Sequence, residues 1–278
     1  MGRYERPPEL AEALQLLDAR TFTLLAGGTD FYPARVGKAI NEDILDLTAI
    51  ASLRGIAEET DHWRIGPLTT WSELVAAKLS PCFDGYKQAA KEVGGLQIQN
   101  TGTLAGNLCN ASPAADGTPN LLALQAVVEM QSARLLRRVP VAQFVLGNRQ
   151  TIRDNDEIVT AILVPKPRHK ARSGFLKLGA RKYLVISIIM VAAVIEETED
   201  GRVAEARIAV GSCSATPKRL ITLESALKGV PTNKMAEAAR AEHLSSLTPI
   251  TDVRGTADYR RDGALELVRR TLAEFARC

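Results

Sequence analysis

Two short glycine-bearing segments constrain what this chain can fold into more than any other sequence feature. The first glycine segment is Leu24-Leu25-Ala26-Gly27-Gly28-Thr29-Asp30, and it follows apolar residues typical of a short buried strand. The second glycine segment is Asn100-Thr101-Gly102-Thr103-Leu104-Ala105-Gly106-Asn107. Backbone N–H groups that a tight turn leaves unpaired bind anions, especially where a helix begins just beyond the turn. Two such turns therefore predict a ligand with two adjacent phosphates, as in a dinucleotide.

Composition places the chain among ordinary globular proteins. Its 278 residues suffice for one large or two ordinary domains, and 46% hydrophobic with 24% charged residues argues against disorder. The net charge of +3 is too small for a nucleic-acid-binding surface, which needs clustered lysines and arginines. We therefore expect no nucleic-acid partner.

The sequence also predicts a protein without a membrane span or a metal centre of its own. Residues 1–12 are charged and contain prolines, unlike a secretory signal, and no apolar run approaches the roughly 18 residues of a membrane span. A cytoplasmic location is therefore expected. The cysteines, Cys82, Cys109, Cys213 and Cys278, are far apart, whereas iron–sulfur centres need clustered thiolates.

Hydrophobic periodicity predicts alternating strands and helices over the first 165 residues. Thr29 and Asp30 are expected to cap a helix toward Val36, and Thr70 to cap a helix that contains Glu73. The remaining predicted elements are helices over 9–19, 86–93 and 119–126, strands over 24–25, 44–47, 63–66 and 157–164, and a hairpin over 127–140.

The C-terminal part is predicted to be a three-stranded antiparallel sheet backed by helices. Its strands are expected over 175–178, 185–195 and 202–210, and its helices over 217–228, 232–244 and 258–276. The charged stretch 165–172 is the predicted domain boundary.

Familiar phosphate-binding loops are absent from the sequence, which has no GxGxxG after a strand and no P-loop. The two glycine segments, together with Ser112-Pro113-Ala114-Ala115-Asp116, instead resemble the two flavin-binding motifs of the molybdenum hydroxylases. Two further segments extend the resemblance over essentially the whole chain, namely Phe175-Leu176-Lys177 with Arg181-Lys182, and residues 254–261. Ala105, where many relatives have glycine, and Leu184-Val185, in place of an acidic pair, depart from the family pattern.

The resemblance implies an α+β fold with two domains. A two-lobed FAD-binding domain of the p-cresol methylhydroxylase type is expected over 1–168, with lobes of about 1–53 and 54–168. A C-terminal α+β domain of the flavoprotein subunit is expected over 169–278. The flavin would then lie in the cleft between the two lobes.

The resemblance also implies which residues contact FAD. Residues 24–29 would surround the pyrophosphate, Asp116 would accept hydrogen bonds from ribose hydroxyls, and Lys177 would reach the flavin. The complete implied set is Leu24, Leu25, Ala26, Gly27, Gly28, Thr29, Asp30, Gly102, Thr103, Gly106, Asn107, Cys109, Asn110, Asp116, Ile158, Val159 and Lys177, with no catalytic side chain and no metal ligand.

Several of these residues have a simpler structural alternative. Asp30 is equally suited to cap a helix, Asp116 to form a turn before Gly117, and Lys177 to pair with an acid on the surface. Cys109 fits a small packed apolar side chain better than a redox thiol.

The implied function is that of an FAD-binding subunit that passes electrons from [2Fe–2S] clusters of a small partner subunit to a terminal acceptor. A large molybdopterin-binding subunit would oxidise the substrate, and the complex is expected to be a dimer of heterotrimers. The sequence does not identify the substrate. It also leaves open whether the electron acceptor is NAD⁺, oxygen, a quinone or a carrier protein. The alternatives are a self-contained flavoprotein oxidoreductase and a non-catalytic nucleotide-binding or assembly protein.

Overall fold

The computed structural model describes residues 2–277, so Cys278 lies outside the described residues. Three main β-sheets follow one another along the chain, within residues 4–46, 56–165 and 170–219, and a two-stranded ribbon accompanies the second. Helices pack against each sheet, and the predicted mixture of helices and strands is confirmed.

The N-terminal region is a small parallel sheet with one helix. Its elements are β1 (Tyr4–Glu5), α1 (Leu10–Ala19), β2 (Thr23–Leu25) and β3 (Ile44–Asp46). The strand order is β1-β3-β2, and both pairings are parallel. Helix α1 buries Ala13, Leu14 and Leu17 in the core of this region, as the 3.6-residue apolar spacing predicts.

The helix predicted to run from Thr29 toward Val36 is wrong. The chain forms only a short 3₁₀ turn, Pro33–Arg35, preceded by Tyr32. Tyr32 has helical backbone angles, but Pro33 has no N–H to continue the helical hydrogen bonds, and the backbone leaves the helical region at Val36 (ψ 126°).

The second region is built around a five-stranded antiparallel sheet of order β4-β5-β10-β6-β7. Its strands and the neighbouring ribbon are β4 (Ile56–Glu58), β5 (His62–Ile65), β6 (Val127–Gln131), β7 (Leu136–Pro140), β8 (Val145–Gly147), β9 (Gln150–Thr151) and β10 (Ile158–Pro165). Its helices are α2 (Trp71–Ala76), α3 (Asp84–Glu92), α4 (Leu96–Thr101), α5 (Leu104–Asn110), α6 (Gly117–Ala123) and α7 (Val141–Phe144). The predicted hairpin is the β6–β7 pair. Thr70 and Glu73 form the predicted reciprocal cap of α2, with the Thr70 N–H 2.7 Å from Glu73 Oε2.

The third region contains a four-stranded sheet, so the prediction of three strands is wrong by one. Its strands are β11 (Lys170–Leu178), β12 (Ile189–Glu197), β13 (Val203–Gly211) and β14 (Lys218–Arg219), in that order. A two-residue strand shows no alternation of apolar residues, and β14 lies where the apolar spacing predicts a helix. The helices are α8 (Ile221–Leu227), α9 (Met235–Ala238) and α10 (Ala257–Glu274), so the helix predicted over 232–244 is mostly 3₁₀ turns.

The third sheet packs between two cores. Strand β12 sends Met190, Ala192 and Val194 toward the second region, and the alternate residues toward the core beneath α10. Burial of both faces explains the nearly continuous apolar run of this strand. Edge strand β11 is covered by α3, and the Phe175 N–H donates to Gln88 Oε1 at 2.7 Å.

Candidate functional site

The first glycine segment leaves the parallel sheet at the carboxyl end of β2. Leu25 is buried, and its carbonyl accepts a hydrogen bond from the Leu47 N–H at 2.9 Å, which holds the beginning of the segment. Gly28 has φ +69°, and a Cβ at this position would lie 2.7 Å from the Tyr32 ring. A side chain is therefore disfavoured here both by backbone conformation and by space.

The backbone donors of this segment are open. Among residues 2–277, no atom accepts a hydrogen bond from the N–H groups of residues 27–30. Successive unpaired N–H groups in a turn form a concave site that attracts anions. This region has the property that the sequence predicts for it.

The second glycine segment is not an open turn, and the prediction of free N–H groups there is largely wrong. It comprises the last turn of α4 and the first of α5, where Thr103 caps α5 by accepting from the Gly106 N–H at 3.1 Å. The Gly102 N–H donates to Ile98 O at 2.7 Å and the Leu104 N–H to Thr69 O at 2.9 Å. The N–H groups of residues 105 and 107 also have backbone acceptors, and within the described chain only that of Thr103 in residues 102–107 has none.

The structure nevertheless brings the two segments into contact. A Cβ on Gly27 would overlap the Thr101 carbonyl oxygen and lie 3.0 Å from the Gly102 Cα. A Cβ on Gly102 would lie 3.4 Å from Thr29 Oγ1. Glycine at 27 and 102 therefore permits a close approach of the two backbones.

A cavity of about 150 Å³ lies where the segments meet. It opens beyond the carboxyl ends of β2 and β3, the end of a parallel sheet at which ligands usually bind. Its lining residues are Ala26, Gly27, Thr48, Arg54, Leu68, Thr70, Asn100, Thr101 and Thr103. Thr48 and Arg54 line the cavity but are missed by the sequence motifs, although Thr48 lies just after strand β3, where ligand contacts are common.

Asp116 and Lys177 lie together instead of facing separate ligand groups. Lys177 Nζ is 2.8 Å from Asp116 Oδ2, and the Ser187 hydroxyl donates to Asp116 Oδ1 at 2.6 Å. The Asp116 residue is 8% exposed, and the Lys177 side chain 6%. Burial raises the pKa of Asp116, against the opposing effect of the Lys177 charge. Lys177 thus pairs with a buried acid, whereas the alternative expected from the sequence was an acid on the surface.

Four other predicted residues lie on or near α5 and β10. Ile158 and Val159 are both buried, Ile158 in the core of the N-terminal region and Val159 in the core of the second. Asn107 and Asn110 are half-buried on α5, and Asn110 is its last residue.

Two further predicted residues have roles that the structure describes. Asp30 is exposed and lies 3.2 Å from the Arg149 guanidinium, and it caps no helix. Cys109 is half-buried on α5, and burial raises the pKa of its thiol to about 11. The thiol is therefore protonated at neutral pH, as expected for a packed apolar side chain.

Residues 2–277 contain neither a helix that could cross a membrane nor a group of side chains that could hold a metal ion. None of the helices in this range is both long and apolar enough to cross a membrane. In the same part of the chain, no three His, Cys, Asp or Glu side chains are grouped so that they could hold a metal ion.

Two family profiles together match almost the whole chain. Residues 1–167 match the family described as the FAD binding domain in molybdopterin dehydrogenase. Residues 175–275 match the family described as the CO dehydrogenase flavoprotein C-terminal domain.

Individual proteins match over nearly their full length. The chain is 30% identical to the nicotine 6-hydroxylase medium subunit of Paenarthrobacter nicotinovorans, over 98% of this chain and 96% of that protein. It is 31% identical to the putative xanthine dehydrogenase FAD-binding subunit of Escherichia coli, over 98% of this chain and 94% of that one. A carbon monoxide dehydrogenase chain from Hydrogenophaga pseudoflava superimposes with a TM-score of 0.88 at 29% identity, covering 100% of this chain and 98% of that one.

Proposed function

Because the chain belongs to the family of FAD-binding subunits of the molybdenum hydroxylases, we propose that it holds FAD where its two glycine segments meet. Within a complex, the chain passes electrons from [2Fe–2S] clusters of a partner subunit to a terminal acceptor. When bound, FAD supplies the redox chemistry, whereas the chain supplies binding, orientation and electrostatics.

One observation carries this proposal, namely the four consecutive unpaired N–H groups of residues 27–30 beside a cavity of about 150 Å³. A diphosphate bridge carries two negative charges and several acceptor oxygens, and N–H groups directed at such oxygens form short, charge-assisted hydrogen bonds. The donors and the cavity therefore fit the diphosphate of FAD.

The proposed FAD contacts divide into three groups. Residues 24–30 and Thr103 lie at the cavity or lead directly into it, which supports a role near the diphosphate. The predicted contacts of Gly102, Gly106, Asn107, Cys109, Asn110, Ile158 and Val159 stay predictions. The predicted contacts of Asp116 and Lys177 are also predictions. Because these two side chains already form an ion pair, FAD must either bind beside the pair or separate it.

The wider assembly is also a proposal. The names of the relatives, medium subunit and medium chain, support a place for this chain in a complex with other subunits. We place a [2Fe–2S] small subunit and a molybdopterin-binding large subunit beside it, in a dimer of heterotrimers. The two-lobed domain of the p-cresol methylhydroxylase type, the boundary near residues 168–169 and the cytoplasmic location remain predictions.

The test is the flavin content of the purified full chain, compared with that of Gly28→Val. We expect wild-type protein to retain or take up FAD, and Gly28→Val to lose it while the third sheet stays folded. Valine at φ +69° is strained, and its side chain meets the Tyr32 ring next to the open donors.

Gly201→Val is the matched control, because Gly201 has φ +75° in a hairpin turn, and a Cβ added there would have nothing within 4 Å. Its backbone strain is comparable, but its FAD content should be normal. Normal flavin content in Gly28→Val would contradict the site. A chain that stays colourless after incubation with FAD would favour a non-flavin assembly protein, and turnover of a substrate without partner chains would favour a self-contained flavoprotein.

A further inference from the structure

Arg54 is a charged residue that lines the cavity. Neither the sequence motifs nor the family resemblance gives it a role in binding FAD. It follows a short 3₁₀ turn after β3 and lines the cavity together with Gly27 and Thr103. One guanidinium N–H, on Nη2, donates to the Thr48 carbonyl at 3.0 Å, and Thr48 also lines the cavity. This hydrogen bond holds the guanidinium beside a second lining residue of the cavity.

The remaining N–H groups of Arg54 are open. Within residues 2–277 no carboxylate lies within 4.0 Å of its guanidinium, and Thr48 O is its one hydrogen-bond acceptor. Arginines elsewhere in the same region are paired, as Arg6 is with Asp46 at 3.4 Å and Arg35 with Glu42. Arg54 therefore brings an uncompensated positive charge to the cavity.

Two carboxylates that bond lining residues of this cavity have partners other than Arg54. Asp46 accepts from the Thr48 N–H at 2.8 Å and the Tyr4 hydroxyl at 2.5 Å, and it pairs with Arg6. Glu73 Oε2 accepts from the Thr70 N–H at 2.7 Å and from the Thr70 hydroxyl at 3.0 Å. Neither carboxylate is paired with Arg54, so its guanidinium keeps free donors for a ligand.

We propose that Arg54 is a binding residue for the diphosphate bridge of FAD, at the cavity that Gly27 of the first glycine segment also lines. The inference rests on the proposed function. The planar guanidinium presents several donors in a fixed geometry suited to two phosphate oxygens, while the backbone N–H groups supply donors without a net charge.

The experiment measures dissociation constants of three probes, FAD, ADP and riboflavin, with the flavin-stripped full chain. FAD and ADP contain the diphosphate, whereas riboflavin contains the ring system and no phosphate. Arg54→Met should raise the Kd for FAD and for ADP by about 10- to 100-fold, the range expected for a hydrogen bond to a charged group. The Kd for riboflavin should change by less than about twofold. Arg54→Lys should fall between wild type and Arg54→Met, because it keeps the charge and loses the forked geometry.

Arg20→Met is the matched control. Arg20 is an exposed arginine just before β2, at the opposite end of that strand from the glycine segment, and it pairs with Asp43. Its substitution should leave all three constants unchanged.

Three outcomes would overturn the inference. An unchanged Kd for FAD in Arg54→Met would remove Arg54 from the site while leaving the proposed function intact. Equal weakening of riboflavin binding would show a structural defect instead of a phosphate contact. If wild-type protein binds none of the three probes, the proposed function itself fails, and this inference fails with it.

Discussion

The first and second glycine segments have similar compositions, yet the structure gives their backbones opposite tasks. In the first, the N–H groups of residues 27–30 have no acceptor among the described residues. In the second, the N–H groups of Gly102 and of residues 104–107 all donate within the protein. The first segment offers donors to a ligand, and the second uses its own to join two helices.

The difference follows from the neighbouring elements. Strand β2 is at the edge of a three-stranded sheet, and the chain beyond it forms no α-helix that could take up its donors. The second segment lies between α4 and α5, and Thr103 pairs with Thr70 across an isolated bridge. At helix ends, the N–H groups donate to capping side chains or to carbonyl groups of the previous helical turn.

Glycine therefore has two separate reasons to occur in such motifs. Gly28 is needed for its positive φ, which lets the backbone of an open loop turn. Gly102 is needed for close packing, since a Cβ there would lie 2.9 Å from Ile98 O and 3.3 Å from Trp71 Cδ1. Composition alone does not separate these reasons, but the hydrogen-bond partners do.

The largest expected effect concerns the chain that follows the second glycine segment. There Asp116 forms a buried ion pair with Lys177 of the third sheet. Lys177→Met leaves the Asp116 carboxylate buried without its cation, which should lower the free energy of unfolding by about 3–5 kcal/mol at neutral pH. Chemical denaturation of the full chain measures this change. The double variant Lys177→Met/Asp116→Asn should recover most of the loss, because no buried charge remains.

The loss should also depend on pH. Burial raises the pKa of Asp116, and loss of the Lys177 charge raises it further. A group whose pKa is raised by folding contributes most at low pH, and this contribution is lost as pH rises through the raised value. The difference in stability between wild type and Lys177→Met should therefore shrink toward acidic pH. A difference that is constant, or that grows as pH falls, would contradict the buried pair.

The next largest effect is expected at Gly27, the residue at which the two segments touch. Gly27→Ala forces apart backbone atoms of Gly27 and Thr101, since the added methyl overlaps a carbonyl oxygen that cannot rotate away. Overpacking of this kind costs about 1–3 kcal/mol or more, and it should abolish FAD retention because the cavity is lined by both segments.

Gly147→Ala is the control for this substitution, since a Cβ there meets only the flexible Gln150 side chain at 3.4 Å. It should change neither the free energy of unfolding nor the FAD content. Normal FAD content in Gly27→Ala would mean that contact between the segments is not needed for binding, and that the first segment acts alone.

Much of the fold could be predicted from local patterns. Three such patterns can each be read within one short stretch of chain, namely the apolar spacing of α1, the Thr70–Glu73 cap and the continuous apolar run of β12. These features are confirmed because each leaves a signal in consecutive residues, even where the cause, as for β12, is burial against two cores. Strand β14 could not be found in this way, since two residues paired with β13 have no pattern of their own.

The site was less predictable because its properties depend on residues distant in sequence. Asp116 and Lys177 are 61 positions apart, and only the packing of the third sheet on the second region brings them to 2.8 Å. Arg54 reaches the cavity through the loop that follows β3. The two glycine segments are in contact, but whether their donors are free depends on the acceptors around them, which the motifs do not encode.

The smallest effect, at Thr103, is the most direct test of whether the two segments differ. Thr103→Ala removes the hydroxyl that accepts from the Gly106 N–H at 3.1 Å, so the free energy of unfolding should fall by about 1 kcal/mol, as for other lost caps. The Kd for FAD should change by less than about threefold, because the backbone N–H of residue 103 is still present. Thr103→Ser keeps the hydroxyl and should resemble wild type in both measurements, which are denaturation and flavin titration of the same preparations.

If Thr103→Ala instead binds FAD tenfold more weakly while Thr103→Ser binds normally, the hydroxyl contacts FAD. The second segment would then offer a donor as the first does, and the contrast between them would be one of degree.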